Sequence, residues 1–377
     1  MDRALGALAP GQRLRVQGQD PHLRIHLGPW ARARGHGIVD GDVVVPGDAA
    51  DRRWAGALRA GAADVSGIVE MPPVTWGLAA RGALVEEGGP PLALADLNDR
   101  VQVWTDLAPK LYAQAAAGQW DPATAIDWSA LDGPEGPALP PDVEAAVVQV
   151  MTYLIENEQA ALVVPARFLG RIHPHFREVV QFLATQIADE ARHVEVFTRR
   201  ATIGGQPLGV SGVGGRASLQ TLLEEPHWAT ASFLLSVLGE GTFLSLLAFI
   251  ERWAPDPVTE RVAHLVLQDE ARHVAFAMGH LREHLAADPA FRDRLRAATE
   301  RRHDALAATA GLAPAVRDAL VILAAGSWEP AAIAAGWRRT QELVAEMDEG
   351  RRRRLVRLGF SERQADELSK LHTRNFM

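Results

Sequence analysis

Two stretches of the chain repeat almost letter for letter: Ala188-Asp189-Glu190-Ala191-Arg192-His193-Val194 and Gln268-Asp269-Glu270-Ala271-Arg272-His273-Val274. In each copy Glu and His are three residues apart, so on a helix both side chains lie on one face, about one turn from each other. Two ligands of one cation need that placement. Glu190 and Glu270 are 80 residues apart, about the length of a helical hairpin with its connection. The chain has no Cys, which removes disulfides, zinc knuckles, iron–sulfur clusters and thiolate ligands together, so any metal must be held by His and carboxylates.

Two such helices supply four ligands, and a two-metal carboxylate site needs one further Glu from each of two other helices. Glu158, 32 residues before Glu190, has Leu154 and Ile155 one turn before it and Ala161 and Leu162 one turn after, which puts it on an apolar face. Glu240, 30 residues before Glu270, is the single charge in the 23 residues from Trp228 to Ile250. Each separation fits a helix, a tight turn and an antiparallel return. Glu156 has Thr152, Tyr153, Gln159 and Ala160 at the same offsets and is the weaker candidate. The simpler reading of either motif alone is a solvated helix face with i,i+3 ion pairs, Asp189 to Arg192 and Asp269 to Arg272. Against it stand the second copy of the motif and the two carboxylates on apolar faces, since four buried Glu without a cation would each carry a large desolvation penalty.

With these residues the sequence resembles the ferritin-like, ribonucleotide-reductase-like superfamily of dimetal-carboxylate proteins, marked by two Glu…Glu-x-x-His pairs on a four-helix bundle. The resemblance covers about residues 142–287. It implies that Glu158, Glu190, His193, Glu240, Glu270 and His273 ligate two metal ions, with Glu190 and Glu270 bridging them. It also implies that Asp189 orients His273 and Asp269 orients His193 across the bundle. One His per metal among oxygen donors suits iron or manganese, so two Fe ions are expected, with Mn/Fe as the other pairing and O2 as co-substrate.

The organisation around that core follows from punctuation and periodicity. Residues 1–90 carry short β-prone runs, Arg13 to Gln17 and Leu23 to Leu27, and an Asp40-Gly41 hairpin signal, and read as a small β-containing flap. Residues 91–141 read as a helical connector, 142–287 as the bundle and 288–377 as C-terminal helices, so the predicted fold is mainly α. Helices are predicted at about 92–118, 142–170, 174–201, 227–253, 257–287, 290–310, 313–325 and 329–350. Ile203 to Leu219, rich in glycine, matches no phosphate-binding fingerprint and reads as a crossover connection. Trp228 to Ile250 reads as a buried helix in preference to a membrane span. Arg351 to Arg354 reads as a solvated helix end.

The function classes narrow accordingly. With 39 Lys and Arg against 47 Asp and Glu, a net charge of −8 argues against nucleic acid as a partner, and the N-terminus lacks a secretory leader, so a cytoplasmic location is expected. Relatives with a storage role resemble a bare bundle, peroxidase relatives bring a Cys-ligated iron, and radical-generating relatives carry Tyr four residues after the first His, where this chain has Phe197. What remains is an oxidase or oxygenase acting on a small organic substrate, with a ferredoxin or flavin-reductase type electron donor and a homodimer as expected partners. Ferroxidation and a non-catalytic metal-binding bundle are the alternatives. Phe197, Phe243 and Phe276 fall one turn from ligands and are candidate pocket residues.

Overall fold

The computed structural model describes residues 1–47, 56–86, 89–132, 139–307 and 314–372. The chain folds as two compact units, Met1–Leu92 and Ala93–Met377.

The first unit contains α1 (Asp2–Leu5), β1 (Leu14–Arg15), α2 (Leu23–Ala33), β2 (Gly37–Val39), β3 (Val43–Val45), β4 (Leu58–Arg59) and β5 (Leu84–Val85). An antiparallel sheet runs in the order β1-β3-β2, and β4 pairs with β5. Asp40 and Gly41 turn the β2–β3 hairpin at φ 56° and 77°, a region open to Gly and tolerated by Asp. Leu23 to Leu27 is helical, contrary to its β-prone reading. Leu27 packs with Leu5 and Val44, while Ile25 is 68% exposed, so one-sided burial at helical period outweighs the local β preference.

The second unit contains α3 (Arg100–Val103), α4 (Ala108–Ala117), α5 (Ser129–Asp132), α6 (Pro141–Leu169), α7 (Arg177–Thr202), α8 (Val213–Glu224) and α9 (Trp228–Ser232). A π-helical segment, Phe233–Glu240, joins α9 to α10 (Gly241–Trp253), and α11 (Pro257–Ala287), α12 (Phe291–Leu306), α13 (Pro314–Ala325), α14 (Pro330–Arg357) and α15 (Glu362–His372) follow. Proline occupies the first turn of α6, α11 and α14, where no backbone donor is lost. Asp256 caps α11 by accepting from the Thr259 amide at 2.7 Å.

Packing of α6 on α7, α10 on α11 and α7 on α11 makes a four-helix bundle, against which α13 covers α6 and α14 covers α10. The buried stripe of α6 runs Val143, Val147, Val150, Leu154, Glu158, Ala161, Val164, so Glu158 takes a core position among apolar side chains. Trp228–Trp253 is long and apolar enough to span a membrane, yet 83% of its most apolar window is buried inside the protein.

Four expectations need correction. The helix predicted over 92–118 is broken at Trp104–Leu107, because Pro109 fits only a first turn and starts α4 afresh. The glycine-rich connection is half helix, since α8 begins at Val213 and buries Ser218 and Leu222. α14 runs through Gly350 to Arg357, because Leu343, Met347, Arg351 and Leu355, spaced by four, continue its buried face, and α15 follows unannounced. The Arg351–Arg354 cluster is not simply a solvated end. Arg351 is 1% exposed and donates to Ser369 Oγ and Thr242 Oγ1, and Arg354 donates to the Val237 carbonyl at 2.8 Å.

One buried cation fixes the bundle's geometry. Arg200, fully buried near the end of α7, donates to both Glu144 oxygens at 2.7 and 2.9 Å, to Asp256 at 2.8 Å and to Thr259 Oγ1 at 2.7 Å. It thereby ties α7 to the starts of α6 and α11. Removing one partner of such a cluster leaves buried charges unpaired. Arg200→Ala is therefore expected to lower unfolding free energy by about 3–5 kcal/mol in a denaturant titration, whereas the exposed Arg353→Ala is expected to change it by no more than about 0.5 kcal/mol.

Candidate metal centre

Six side chains from four helices converge inside the bundle: Glu158 from α6, Glu190 and His193 from α7, Glu240 at the end of the π-helical segment, and Glu270 and His273 from α11. They form two overlapping groups. Glu158, Glu190, His193 and Glu270 each offer a ligand atom within 4.8 Å of the others, and so do Glu190, Glu240, Glu270 and His273. Glu190 and Glu270 are common to both. All six are buried, whereas Glu156 is half-buried and belongs to neither group. The helical period places them: Glu and His of each repeat face inward one turn apart, and the π-helical segment, often found at functional sites, re-aims Glu240 within a run that is otherwise apolar.

The imidazoles are oriented. His193 Nδ1 lies 3.4 Å from Glu158, 3.1 Å from Glu190 and 3.3 Å from Glu270, while its Nε2 lies 3.2 Å from Asp269 Oδ2. His273 mirrors it, with Nδ1 3.0 Å from Glu190 and 3.5 Å from Glu270, and Nε2 3.3 Å from Asp189 Oδ2. A carboxylate at Nε2 favours the tautomer that leaves the Nδ1 lone pair facing the glutamates.

Behind the two Asp residues lies a polar lattice that the sequence reading only partly captured. Arg192 donates to Asp189 at 2.5 Å and to Asp269 at 2.9 Å, and Arg272 donates to Asp269. The i,i+3 ion pairs therefore exist, and they share their carboxylates with the histidines of the opposite helix. Gln119 donates to Asp189 at 2.9 Å and accepts from Arg192 at 2.7 Å, while the Trp120 indole donates to Asp269 at 2.8 Å and lies under the Arg192 guanidinium. Gln119 and Trp120 carry no spacing signal, because they follow α4 and reach the lattice only through the tertiary fold.

The electrostatics call for positive charge. Burial, reinforced by the carboxylates of Glu190 and Glu270, pushes the Glu158 carboxyl well above its usual range, and burial with Glu270 and Glu190 does the same to Glu240. Burial also penalises Glu190, but His273 and His193 outweigh it and hold that carboxyl low. Both imidazoles lose to burial and gain more from the surrounding carboxylates, so both are pushed up. Asp269 is held low despite burial by the hydrogen bond from His193, with Arg192 and Trp120 in support.

These residues fit a pair of cations. Glu190 Oε1, Glu240 Oε2, both Glu270 oxygens and His273 Nδ1 are buried without a hydrogen-bond partner among the described residues. The 3.0 Å approach of His273 to Glu190 lacks hydrogen-bond alignment. Four glutamates carry a charge that two divalent ions would cancel, while Asp189 and Asp269 are balanced by Arg192 and Arg272.

The three candidate pocket residues are buried in aromatic surroundings or in the core. Phe276 stacks on Phe182 at 4.5 Å, Phe182 meets the His273 ring edge-on at 6.4 Å, Phe243 meets Tyr153 at 5.9 Å, and Phe197 is fully enclosed. Glu300 and His303, a third Glu-x-x-His, stand apart, Glu300 pairing with Arg296 and His303 facing the Leu371 carbonyl.

No protein-family model and no curated protein matches the chain. Among solved structures, a variant of R2-like ligand-binding oxidase with anaerobically reconstituted Mn/Fe cofactor is 21% identical, with a TM-score of 0.50 over 68% of this chain and 95% of that one. A second variant of the same oxidase is 20% identical, with a TM-score of 0.48 over 65% of this chain and 93% of that one. The fold is ferritin-like. It is the bundle architecture in which four helices present carboxylates and imidazoles to a common centre.

Two substitution sets probe the centre. Glu158→Ala and Glu240→Ala are each expected to cut the iron retained by the purified chain, measured by elemental analysis, whereas Glu156→Ala is expected to leave it unchanged. Loss of iron in Glu156→Ala alone would remove Glu158 from the ligand set. Asp189→Asn and Asp269→Asn are each expected to weaken metal affinity by about 10–100-fold in a competitive chelator titration, because each replaces the charged carboxylate that orients and polarises an imidazole with a neutral, weaker acceptor.

Proposed function

We propose that the chain is an O2-activating dimetal oxidase or oxygenase acting on a small organic substrate, with Glu158, Glu190, His193, Glu240, Glu270 and His273 as metal ligands. The observation that carries this reading is the pair of four-residue groups sharing Glu190 and Glu270, which suits two ions bridged by two carboxylates. Two iron ions, or manganese with iron, would supply the electrons that reduce O2. Glu190 and Glu270 would span the two ions, and Glu158 and Glu240 would each close one end. Asp269 and Asp189 hold the imidazoles so that Nδ1 faces the carboxylates. Phe182, Phe197, Phe243 and Phe276 are all buried, and in this reading they would help keep bulk water from the glutamates.

An external electron donor of the ferredoxin or flavin-reductase type belongs to the same reading, since a chain without Cys holds no iron–sulfur cluster on thiolates. The hydrogen-bonded series from half-buried Trp120 through Asp269 to His193 connects the edge of the unit with the proposed ligands. The substrate-handling role also explains why well over half of the 377 residues lie outside the bundle, where a storage role needs little more than the bundle itself.

The experiment is anaerobic loading with Fe(II), followed by O2. Loading is expected to saturate near about two metal ions per chain, and O2 is expected to be consumed without growth of a mineral core and without a persistent tyrosyl signal in rapid-freeze paramagnetic resonance. Mineral growth would make the protein an iron-handling one, and a stable tyrosyl radical would make it a radical generator. Failure to bind iron or manganese at all would leave a structural bundle.

A further inference from the structure

Away from the clustered six, a concentration of positive charge lies between α11 and α14. A cleft of about 840 Å3 there is lined by Arg282 of α11 and by Arg353, Arg354 and Arg357 of α14, with Leu244, Val274 and Met278 among its apolar residues and no Asp or Glu in its wall. This concentration of cations runs against a net charge of −8. A helix C-terminus favours Arg through its dipole, which accounts for Arg357. It does not account for Arg282, brought from another helix.

Nor does it account for Arg354. Its Nε donates to the Val237 carbonyl at 2.8 Å, yet its Nη2 is buried with no acceptor among the described residues. A Cβ at position 241 would come within 2.6 Å of the Arg354 Cζ, so Gly241 is what lets the guanidinium lie there. The side chain is thus held in place with one donor face left over. Burial, and then the charges of Arg351, Arg353 and Arg357, lower the Arg354 pKa to about 9, the mark of a cation without its counter-charge. Of the other three, Arg353 alone has a carboxylate partner among the described residues, Glu349 at 3.4 Å, and both members of that pair are well exposed. Surface pairs of this kind are weak and exchange readily.

We propose that this cleft is a ligand site for a small organic anion, its carboxylate or phosphate head held by Arg282, Arg353, Arg354 and Arg357 and its apolar body lying on Leu244, Val274 and Met278. The volume suits a small molecule. Guanidinium groups converging from two helices match the planar, multi-oxygen head of such anions. The site needs no metal, so its test is independent of the dimetal reading.

The test is isothermal titration of the full chain with hexyl phosphate, hexanoate, inorganic phosphate and hexanol, at low and high salt. Hexyl phosphate or hexanoate is expected to bind saturably and more weakly at high salt, and hexanol is expected not to bind. The charge-neutralising double variant Arg282→Gln/Arg357→Gln is expected to weaken binding by about tenfold or more, with an unchanged melting temperature because both side chains are exposed. Whichever of the two anions binds names the head. The proposal falls if neither binds saturably, if the double variant binds as tightly as the parent, or if inorganic phosphate binds as tightly as its hexyl ester.

Discussion

Charge neutrality inside a low-dielectric bundle is the constraint on which the rest of this structure depends. Four glutamates enclosed by Val, Leu and Phe side chains would each forfeit several kcal/mol of hydration if they stayed ionised without a counter-charge. Among the described residues the two nearby arginines, Arg192 and Arg272, are taken up by Asp189 and Asp269 instead. Among the described residues two imidazoles reach the glutamates, and the upward push on Glu158, Glu240, His193 and His273 is that expected of a cluster short of positive charge. A pair of divalent ions would supply that charge.

The second layer explains how such a cluster stays ordered. Each Asp of the repeat faces the His of the opposite helix and the Arg of its own, and Arg192 reaches both Asp residues, so α7 and α11 are cross-linked at the level of the clustered six. Gln119 and Trp120 close the lattice from outside. Networks of this kind are strong only when every member is paired, and here both Asp residues have an Arg and a His partner. Farther along the bundle, Arg200 performs the same service for the starts of α6 and α11.

The helix that brings Glu240 departs from regular α geometry over Phe233–Glu240. Its π-helical turns shift the register between the apolar run before Glu240 and the face that α11 packs against. Arg354 supports that stretch from outside by binding the Val237 carbonyl, and Gly241 supplies the room. One arginine thus both braces the segment ending at Glu240 and lines the basic cleft.

The sequence by itself determined the chemistry of the interior. Two Asp-Glu-Ala-Arg-His repeats and two carboxylates on apolar faces named every member of the clustered six, because helical period converts spacing into shared direction, and burial of a carboxylate demands compensation wherever it occurs. The hairpin at Asp40-Gly41 and the proline-led helix starts were legible for the same local reason. Tertiary structure alone decided what depends on neighbours distant in sequence. Leu23–Ala33 became a helix because Leu27 found Leu5 and Val44, and Gly350 stayed helical because the buried face of α14 continued past it. Trp120 and Gln119 joined the polar lattice around Asp269 and Asp189 from 149 and 70 residues away, and Arg354 turned inward at a glycine more than a hundred residues earlier. Local spacing fixes direction along one element, whereas pairing between elements is fixed only when the packed core sets their distance and rotation.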